Sequence, residues 1–357
     1  MRRLMRYIVV ILALAIATPR LSAQELVVGA DFTTLFDNTE FSPMEHYNSE
    51  TLFSARLTPK IGVKWHNHNE LIFGADMVQD FGHNSKFLSD VNVQMYYALR
   101  HPKAKLFAGI FPRKEMRGLR SPIYFDPAYL YYNNRIGGVL ARYEANEGRS
   151  FIEFAMDYTG MRDFETRESF MIMSAGKYSV AWFKAGYDFL MGHYAKDYNP
   201  ATVDGVVDNI IITPYVGGEV VAGPVDVDIQ LSLVQSLQRD RIMENKWESP
   251  RGCDIYAAVS GWGVTLSNRL YAGKGLYTYF SRYGSAVYHG IPHYAISKGR
   301  GNIYNVITAS YSKLFCDDSI GLDAGITMEY DGKGWGTRQW LKVSVMLDYG
   351  IDLKKDK

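Results

Sequence analysis

The stretch Ser319–Gly350, SIGLDAGITMEYDGKGWGTRQWLKVSVMLDYG, decides the fold. In its first half Ile320, Leu322, Ala324, Ile326, Met328 and Tyr330 fall on one face. Ser319, Gly321, Asp323, Gly325, Thr327 and Glu329 fall on the other. After the polar turn Asp331–Gly336 the pattern resumes, with Leu341, Val343, Val345, Leu347 and Tyr349 opposite Lys342, Ser344, Met346 and Asp348. A period of two means β-strand, because successive side chains of a strand point to opposite faces. Each arm reaches the about 9–11 residues that a tilted strand needs to cross a bilayer. The stretch reads as the closing hairpin of a transmembrane β-barrel.

The same alternation recurs upstream. Phe53, Ala55, Leu57, Ile61, Val63 and Trp65 oppose Ser54, Arg56, Thr58, Lys60 and Lys64. Val225, Val227, Ile229, Leu231 and Leu233 oppose Asp226, Asp228, Gln230 and Ser232. Ser169–Tyr178 reads as a strand with muddled alternation, and Lys105–Phe111 as a short one. Cys253–Ala272 holds two strands whose turn has two candidates, Ser260-Gly261 and Ser267-Asn268. The expected fold is all-β: an antiparallel transmembrane β-barrel of about 16 strands, with 14–18 as the range, since bacterial barrels are even-numbered. Connections alternate short and long, so short turns are expected on the periplasmic side and long loops outside. Gln238–Gly252 reads as one such loop, and the two longest connections are Pro112–Arg135 and Gly273–Asn302.

The N-terminus reads as a secretory signal. Arg2, Arg3 and Arg6 precede the apolar run Tyr7–Ala17, and Leu21-Ser22-Ala23 offers a small-residue cleavage site. The apolar run is shorter than the about 20 residues of a membrane-spanning helix. Residues 1–23 are therefore expected to be a signal peptide, and 24–357 a single barrel domain. Loss of 1–23 removes Arg2, Arg3, Arg6 and Arg20 and no acid, taking the formal net charge from +1 to −3. No global charge points to nucleic acid. The mean hydropathy of −0.16 looks soluble, as a barrel also does, because only alternate residues face lipid. The 26 Tyr, with 6 Trp and 18 Phe, suit the aromatic girdles at the two rims. Cys253 is placed near the outer rim and Cys316 in an inner turn, so no disulfide is expected.

A secreted β-sandwich would also alternate, with its apolar face buried. A closed barrel of about sixteen strands with an apolar inside would instead enclose a large greasy void. The face opposite the apolar one carries Arg56, Lys60, Lys64, Asp76, Arg100, Glu153, Asp157, Asp226, Asp228 and Lys342, which suits a water-filled lumen. Bilayer-spanning sheets must close.

Several stretches carry a resemblance: Ala108–Arg113 (AGIFPR), Tyr131-Tyr132 through Gly137-Gly138 to Arg142-Tyr143, Phe151–Arg162 (FIEFAMDYTGMR), Phe170–Tyr178 (FMIMSAGKY) and Leu270–Tyr294. Together they resemble porin-like outer-membrane β-barrel proteins of Bacteroidetes-type Gram-negative bacteria. The resemblance implies an outer-membrane location and passive transport. Barrels of that class often end on an aromatic residue. Here eight residues follow Tyr349, Gly350–Lys357.

The two long loops are the candidates for function. Pro112–Arg135 carries Arg113, Lys114, Arg117, Arg120 and Arg135 against Glu115 and Asp126, a local +3. Gly273–Asn302 carries Lys274, Arg282, Lys298 and Arg300 with no acid, a local +4. Both interleave tyrosines, among them Tyr124, Tyr129, Tyr131, Tyr132 and Tyr277, Tyr279, Tyr283, Tyr288, Tyr294. Folded into the lumen, such loops would favour anions or stacked sugars. The pore-lining or constriction candidates are Arg113, Lys114, Arg117, Arg120, Tyr124, Tyr131, Lys274, Tyr279 and Arg282, with Arg56, Lys60 and Lys64 on the wall. The plainer alternative has the arginines meeting lipopolysaccharide phosphates and the tyrosines packing the loops.

His66-Asn67-His68 has metal-pair spacing but lies in a polar turn with no acid or cysteine cluster beside it, so no metal is expected. No nucleophile elbow or phosphate loop is present. His83 with Ser85, or His289 and His293 with Ser281, are the residues from which a rim hydrolase site would be built, with no third partner fixed by sequence. The expectation is a porin-like channel for small polar or anionic solutes, not an enzyme and without cofactor. It would meet outer-membrane lipid and lipopolysaccharide, and a monomer and a homotrimer both suit its size. A plugged barrel serving in surface binding or structure is the alternative, and a rim hydrolase the third.

Overall fold

The computed structural model describes residues 25–41, 49–163, 166–197, 205–295 and 301–353. The signal segment expected at 1–23 lies outside them, as do Lys298 and Arg300.

Sixteen antiparallel strands close into one barrel. In chain order they are β1 (Glu25–Glu40), β2 (Glu50–Trp65), β3 (Asn69–Asp80), β4 (Asp90–His101), β5 (Ala104–Pro112), β6 (Arg135–Ala145), β7 (Ser150–Gly160) and β8 (Ser169–Val180). Then come β9 (Phe183–Tyr194), β10 (Val207–Ala222), β11 (Val225–Asp240), β12 (Arg251–Gly261), β13 (Val264–Lys274), β14 (Gly301–Phe315), β15 (Ile320–Tyr330) and β16 (Trp335–Asp352). Each strand pairs with its sequence neighbours. Closure comes from β1 on β16, in register from Glu25 opposite Asp352 to Glu40 opposite Thr337. A closed sheet leaves no unpaired edge, the condition for strands in hydrocarbon.

The alternation is realised with its apolar face outward. On β11, Ile229, Leu231 and Leu233 are about half exposed (55%, 51% and 50%), whereas Ser232 between them is 2% exposed. Phe32, Leu57, Ile61, Val93, Met95, Phe154, Leu266, Ile326 and Leu347 are likewise exposed on the outside. The interior of a secreted sandwich is thereby excluded, since its apolar faces would be the buried ones.

Short turns join the strands at one end, at 66–68, 102–103, 146–149, 181–182, 223–224 and 316–319. The turn left undecided between β12 and β13 is Trp262-Gly263. The two flanking candidates, Ser260-Gly261 and Ser267-Asn268, lie in or beside paired strand, with Gly261 opposite Val264. The loop expected at Gln238–Gly252 is shorter, because β11 continues to Asp240 and β12 starts at Arg251. β16 also runs past Tyr349 to Asp352, so part of the expected tail is paired strand. Cys253 sits at the long-loop end of β12 and Cys316 in a short turn at the opposite end, both with free thiols.

The hydrophobic core lies inside the barrel. Tyr96, Phe107, Phe111, Ile136, Leu140, Met171, Met173, Leu190, Ile211 and Val234 point inward and are buried, joined there by Met116, Leu119, Ile123, Tyr124, Phe125, Leu276, Tyr277 and Tyr288 from the two longest loops. This explains the muddled pattern of β8. Met171 and Met173 face loop side chains while Phe170 and Ile172 face outward, so both faces are apolar. The lumen expected to be water-filled is, in its upper part, packed.

Candidate functional site

Two loops cross inside the barrel. The loop after β5 begins with a single turn of 3-10 helix, Arg113–Glu115, and carries a short helix α1, Pro127–Tyr132. Its start follows from local chemistry. The Asp126 side chain accepts the Tyr129 N–H at 2.6 Å, and Pro127, which has no N–H to satisfy, takes the first helical position. The loop after β13 carries α2, Phe280–Tyr283, and two further 3-10 turns.

The loops bind each other. The Tyr277 hydroxyl donates to the Ile123 carbonyl at 2.5 Å, and the Ile291 N–H to the Pro122 carbonyl at 3.0 Å. The Asp126 N–H donates to the His289 carbonyl at 2.7 Å. Gly290 sits at the crossing, where a Cβ would collide with the Tyr277 hydroxyl and the Ile123 carbonyl. Tyr129 of the first loop stacks on His289 of the second at 4.3 Å, and within the second loop Tyr277 stacks on Tyr288 at 4.9 Å.

The wall holds both loops. Arg113 is buried. It pairs with Asp157 of β7 at 2.5 Å, donates to the carbonyls of Asn133 and Arg135 at 2.9 Å, and lies over the Phe125 ring at 5.0 Å. The Tyr124 hydroxyl donates to Thr213 Oγ1 of β10 at 2.6 Å. Arg56 of β2 pairs with Asp76 at 3.1 Å, lies over the Tyr131 ring at 4.7 Å and donates to the Tyr131 carbonyl. Arg282 pairs with Asp240 at the end of β11 at 3.0 Å. Arg117 lies over Phe151 at 4.5 Å and donates to the Gly148 carbonyl at 2.8 Å, and Lys114 pairs with Asp31 at 3.1 Å.

The remaining sequence candidates are spread out. Lys60 pairs with Asp348 at 2.7 Å and Lys64 with Glu25 at 3.1 Å, both toward the short-turn end. Lys274 is exposed at the end of β13, and Tyr279 is buried, its hydroxyl without a hydrogen-bond partner of ordinary geometry among the described residues. Tyr131 accepts from Ser54 at 2.7 Å. Among the described residues Arg120 donates to the carbonyls of Met116 and Arg117.

Two cavities flank the crossing loops, on opposite faces of α1. At the long-loop mouth, a cavity of about 460 Å³ is lined by Ala128, Tyr129 and Tyr132 of α1, by Asp126, Thr159 and Ser169, and by Ser285 and His289. On the other side, Pro127 and Leu130 face a cavity of about 600 Å³ along the wall.

His289 and Asp126 are titratable groups of the mouth cavity. Burial pushes the His289 imidazole down to about 4 from the ordinary 6.5, and the charge of Arg113 adds to that. A hydrogen bond with the Ser285 backbone opposes the shift, and Nδ1 is buried with no hydrogen-bond partner of ordinary geometry among the described residues. Burial raises the Asp126 carboxyl, against the N–H groups it accepts. A neutral imidazole lining the same cavity as Ser285, Ser169 and Thr159 has the chemistry of a proton acceptor.

The other sequence candidates for chemistry do not converge. His83 and Ser85 lie in an exposed turn of the β3–β4 loop, and Ser281 is exposed on α2. His293 is buried against Phe41 and Tyr304, at ring distances of 5.8 and 5.0 Å. His68 packs edge-on to His101 at 5.2 Å, and among the described residues no group of three or more His, Cys, Asp or Glu is placed to hold a metal ion. Thr159, Ser169 and Ser285 had no sequence signal, because no local motif spans them. The Asp126-Pro127 pair did carry a helix-start signal.

The sequence model of the lipid A 3′-O-deacylase-type family matches residues 18–331, and the chain belongs to that family. No curated protein sequence matches the chain. Among solved structures, the fold is similar to OmpTdeltaL8, a loop L8 deletion mutant of the Vibrio cholerae outer membrane protein OmpT. The TM-score is 0.55 at 10% identity, covering 90% of this chain and 99% of that one. In vitro folded OmpT from the same organism, in a trimer form, gives 0.53 at 10% identity over 90% and 98%. OccK11 (OpdR) of Pseudomonas aeruginosa gives 0.51 at 8% identity over 91% and 96%. At these identities the likeness is one of fold, that of outer-membrane barrels, and the sequence resemblance to porin-like barrels holds to that level. The expectation that the chain is not an enzyme is overturned by its membership of a family described by an enzymatic activity. That expectation rested on missing local motifs, and a site gathered from separate loops leaves none.

Proposed function

We propose, with membership of the lipid A 3′-O-deacylase-type family as the premise, that this chain is an outer-membrane hydrolase that cleaves an acyl ester of a lipid A-like glycolipid. The reaction is assigned to the mouth cavity, which opens at the long-loop end, the end that faces outward in barrels of this kind. The observation that carries the reading is His289, neutral and with no partner for Nδ1 among the described residues, lining one cavity together with Ser285, Ser169 and Thr159.

In this reading His289 takes the proton of a water as its oxygen attacks the ester carbonyl and returns it to the departing sugar oxygen, so that the acyl chain leaves as the free acid. If a side-chain hydroxyl attacks first, the acyl ester it forms is hydrolysed by a water in a second step with the same base. Arg113, held by Asp157, disfavours a resting imidazolium and so keeps the base ready. The test is incubation of the folded protein with lipid A, followed by mass spectrometry. Loss of one ester-linked acyl chain is expected, with a rate lowered about 100-fold or more in His289→Gln. Intact lipid A with the native protein, or full activity in the variant, would refute the proposal.

A second reading, passage of small polar or anionic solutes, draws support from the wall cavity and its basic lining. Single-channel conductance in a planar bilayer tests it, with discrete ohmic steps expected and silence of inserted protein counting against it.

A further inference from the structure

The wall cavity lies across α1 from His289, so the mouth chemistry leaves it unused. Its cations are Arg117, Arg120, Lys177, Lys184, Arg269 and Arg338, against the carboxylates Asp188, Asp228 and Glu329. Most of these cations are already neutralised. Lys177 pairs with Glu219 at 2.5 Å, Arg269 with Asp254 at 2.5 Å, and Arg338 with Asp37 at 2.5 Å. Lys184 covers Asp228, and the Tyr304 hydroxyl covers Glu329. Arg117 has a looser ion pair with Glu144, at 3.5 Å, beside its hydrogen bond to the Gly148 carbonyl.

Arg120 differs. Its Nε donates to the Arg117 carbonyl at 3.1 Å and one Nη to the Met116 carbonyl at 2.6 Å. Its side chain is exposed to the cavity, with no carboxylate in ion-pair range among the described residues. Asp188, in the same lining, is engaged by the Leu119 N–H at 2.9 Å. A guanidinium has five N–H donors in a rigid fork. Two carbonyls fix the orientation of this fork and leave the other donors toward the cavity. Facing the charged wall, Pro122, Phe125, Pro127, Leu130 and Ile291 form an apolar roof.

We propose that this cavity binds a small organic anion, a carboxylate or phosphate monoester carrying an apolar group, with Arg120 as the anchoring cation. The acidic head meets the free donors of Arg120, with Arg117 as the next available charge. The apolar group lies against the loop side chains. Binding here requires neither hydrolysis at His289 nor passage of the solute across the barrel.

The test is calorimetric titration of the folded full chain with phenyl phosphate, with benzyl alcohol as the uncharged probe. Saturable binding of phenyl phosphate at one site is expected, weakened about tenfold or more by Arg120→Ala and less by Arg120→Lys, as loss of a charge-assisted pair dictates. His289→Gln is expected to bind it unchanged, which separates this proposal from the hydrolytic one. Should the alanine variant not fold, the salt dependence of the native protein decides, because a charge-anchored ligand weakens as ionic strength rises. The proposal is overturned if phenyl phosphate does not saturate, if benzyl alcohol binds as tightly, if Arg120→Ala binds as the native protein does, or if salt has no effect.

Discussion

The Tyr277 hydroxyl donates to the Ile123 carbonyl at 2.5 Å, joining two loops through residues 154 positions apart in sequence. Both groups are buried, and the glycine beside them, Gly290, leaves room for the crossing. The contact holds the two loops together as one obstruction across the barrel. Gly290→Val is therefore expected to part the loops and raise single-channel conductance above that of the native protein. Tyr277→Phe, which leaves the Ile123 carbonyl unpaired, is expected to cost about 1–3 kcal/mol in urea unfolding. Equal conductance of the native protein and Gly290→Val would show that these loops are not what closes the barrel.

Arg113 and Asp157 form an ion pair whose side chains are both buried. Removing one partner strands the other charge, so Arg113→Ala is expected to destabilise by about 3–5 kcal/mol. The double replacement Arg113→Leu with Asp157→Leu is expected to recover much of that loss. Lys114→Ala, which breaks the more exposed pair with Asp31, is expected to cost less than about 1 kcal/mol. Denaturant titrations of the three variants in one detergent compare them.

His289 gives the site a defined response to pH. Its folded value, about 4, lies below the ordinary 6.5, so the unfolded chain binds more protons between the two. Stability from this group is present in full above pH 6.5 and is lost as pH falls toward 4. Activity is expected to rise through about pH 4, as the base becomes free, and to stay level to neutrality. Melting curves and initial rates over that window, with His289→Gln as the flat reference, measure both effects.

Leu231 and Gln230 are neighbours on β11 that face opposite ways, Leu231 outward and Gln230 into the wall cavity. Leu231→Arg puts a charge into lipid and is expected to cost about 2–4 kcal/mol if the residue sits near the midplane. Gln230→Arg meets the carboxylates of the lumen and is expected to cost far less. Equal costs, read from folding titrations into vesicles, would contradict the assigned faces.

The barrel was legible in the chain because its evidence is local. The hairpin at Ser319–Gly350 shows both faces in its own residues, and the count of sixteen strands follows from repeating that reading. The reading blurred where strands carry a second burden. β8 alternates poorly because its inward methionines pack on the loops, and Trp262-Gly263 escaped notice because a two-residue turn barely interrupts the pattern. The site was legible only in fragments. Arg113, Arg120 and Tyr124 stood out as members of a basic, aromatic loop, but nothing in that loop says that Arg113 meets Asp157 or that Arg120 has no carboxylate in ion-pair range among the described residues.

The sequence by itself determined the strands, which a two-residue period displays directly, and led to a closed sheet with its apolar face outward through the strand count and the charges opposite that face. The exposure of Ile229, Leu231 and Leu233 in the structure bears that direction out. Only the tertiary structure decided that the loops fill the upper lumen, that they bind each other at Tyr277 and Gly290, and that α1 divides the interior into two cavities. Those outcomes depend on barrel closure, which brings residues more than a hundred positions apart within hydrogen-bond distance. His289 illustrates the difference. Its sequence neighbours show a histidine in a tyrosine-rich loop, while its burial, its stacking on Tyr129 and its unbonded nitrogen come from the strands and the loop that surround it.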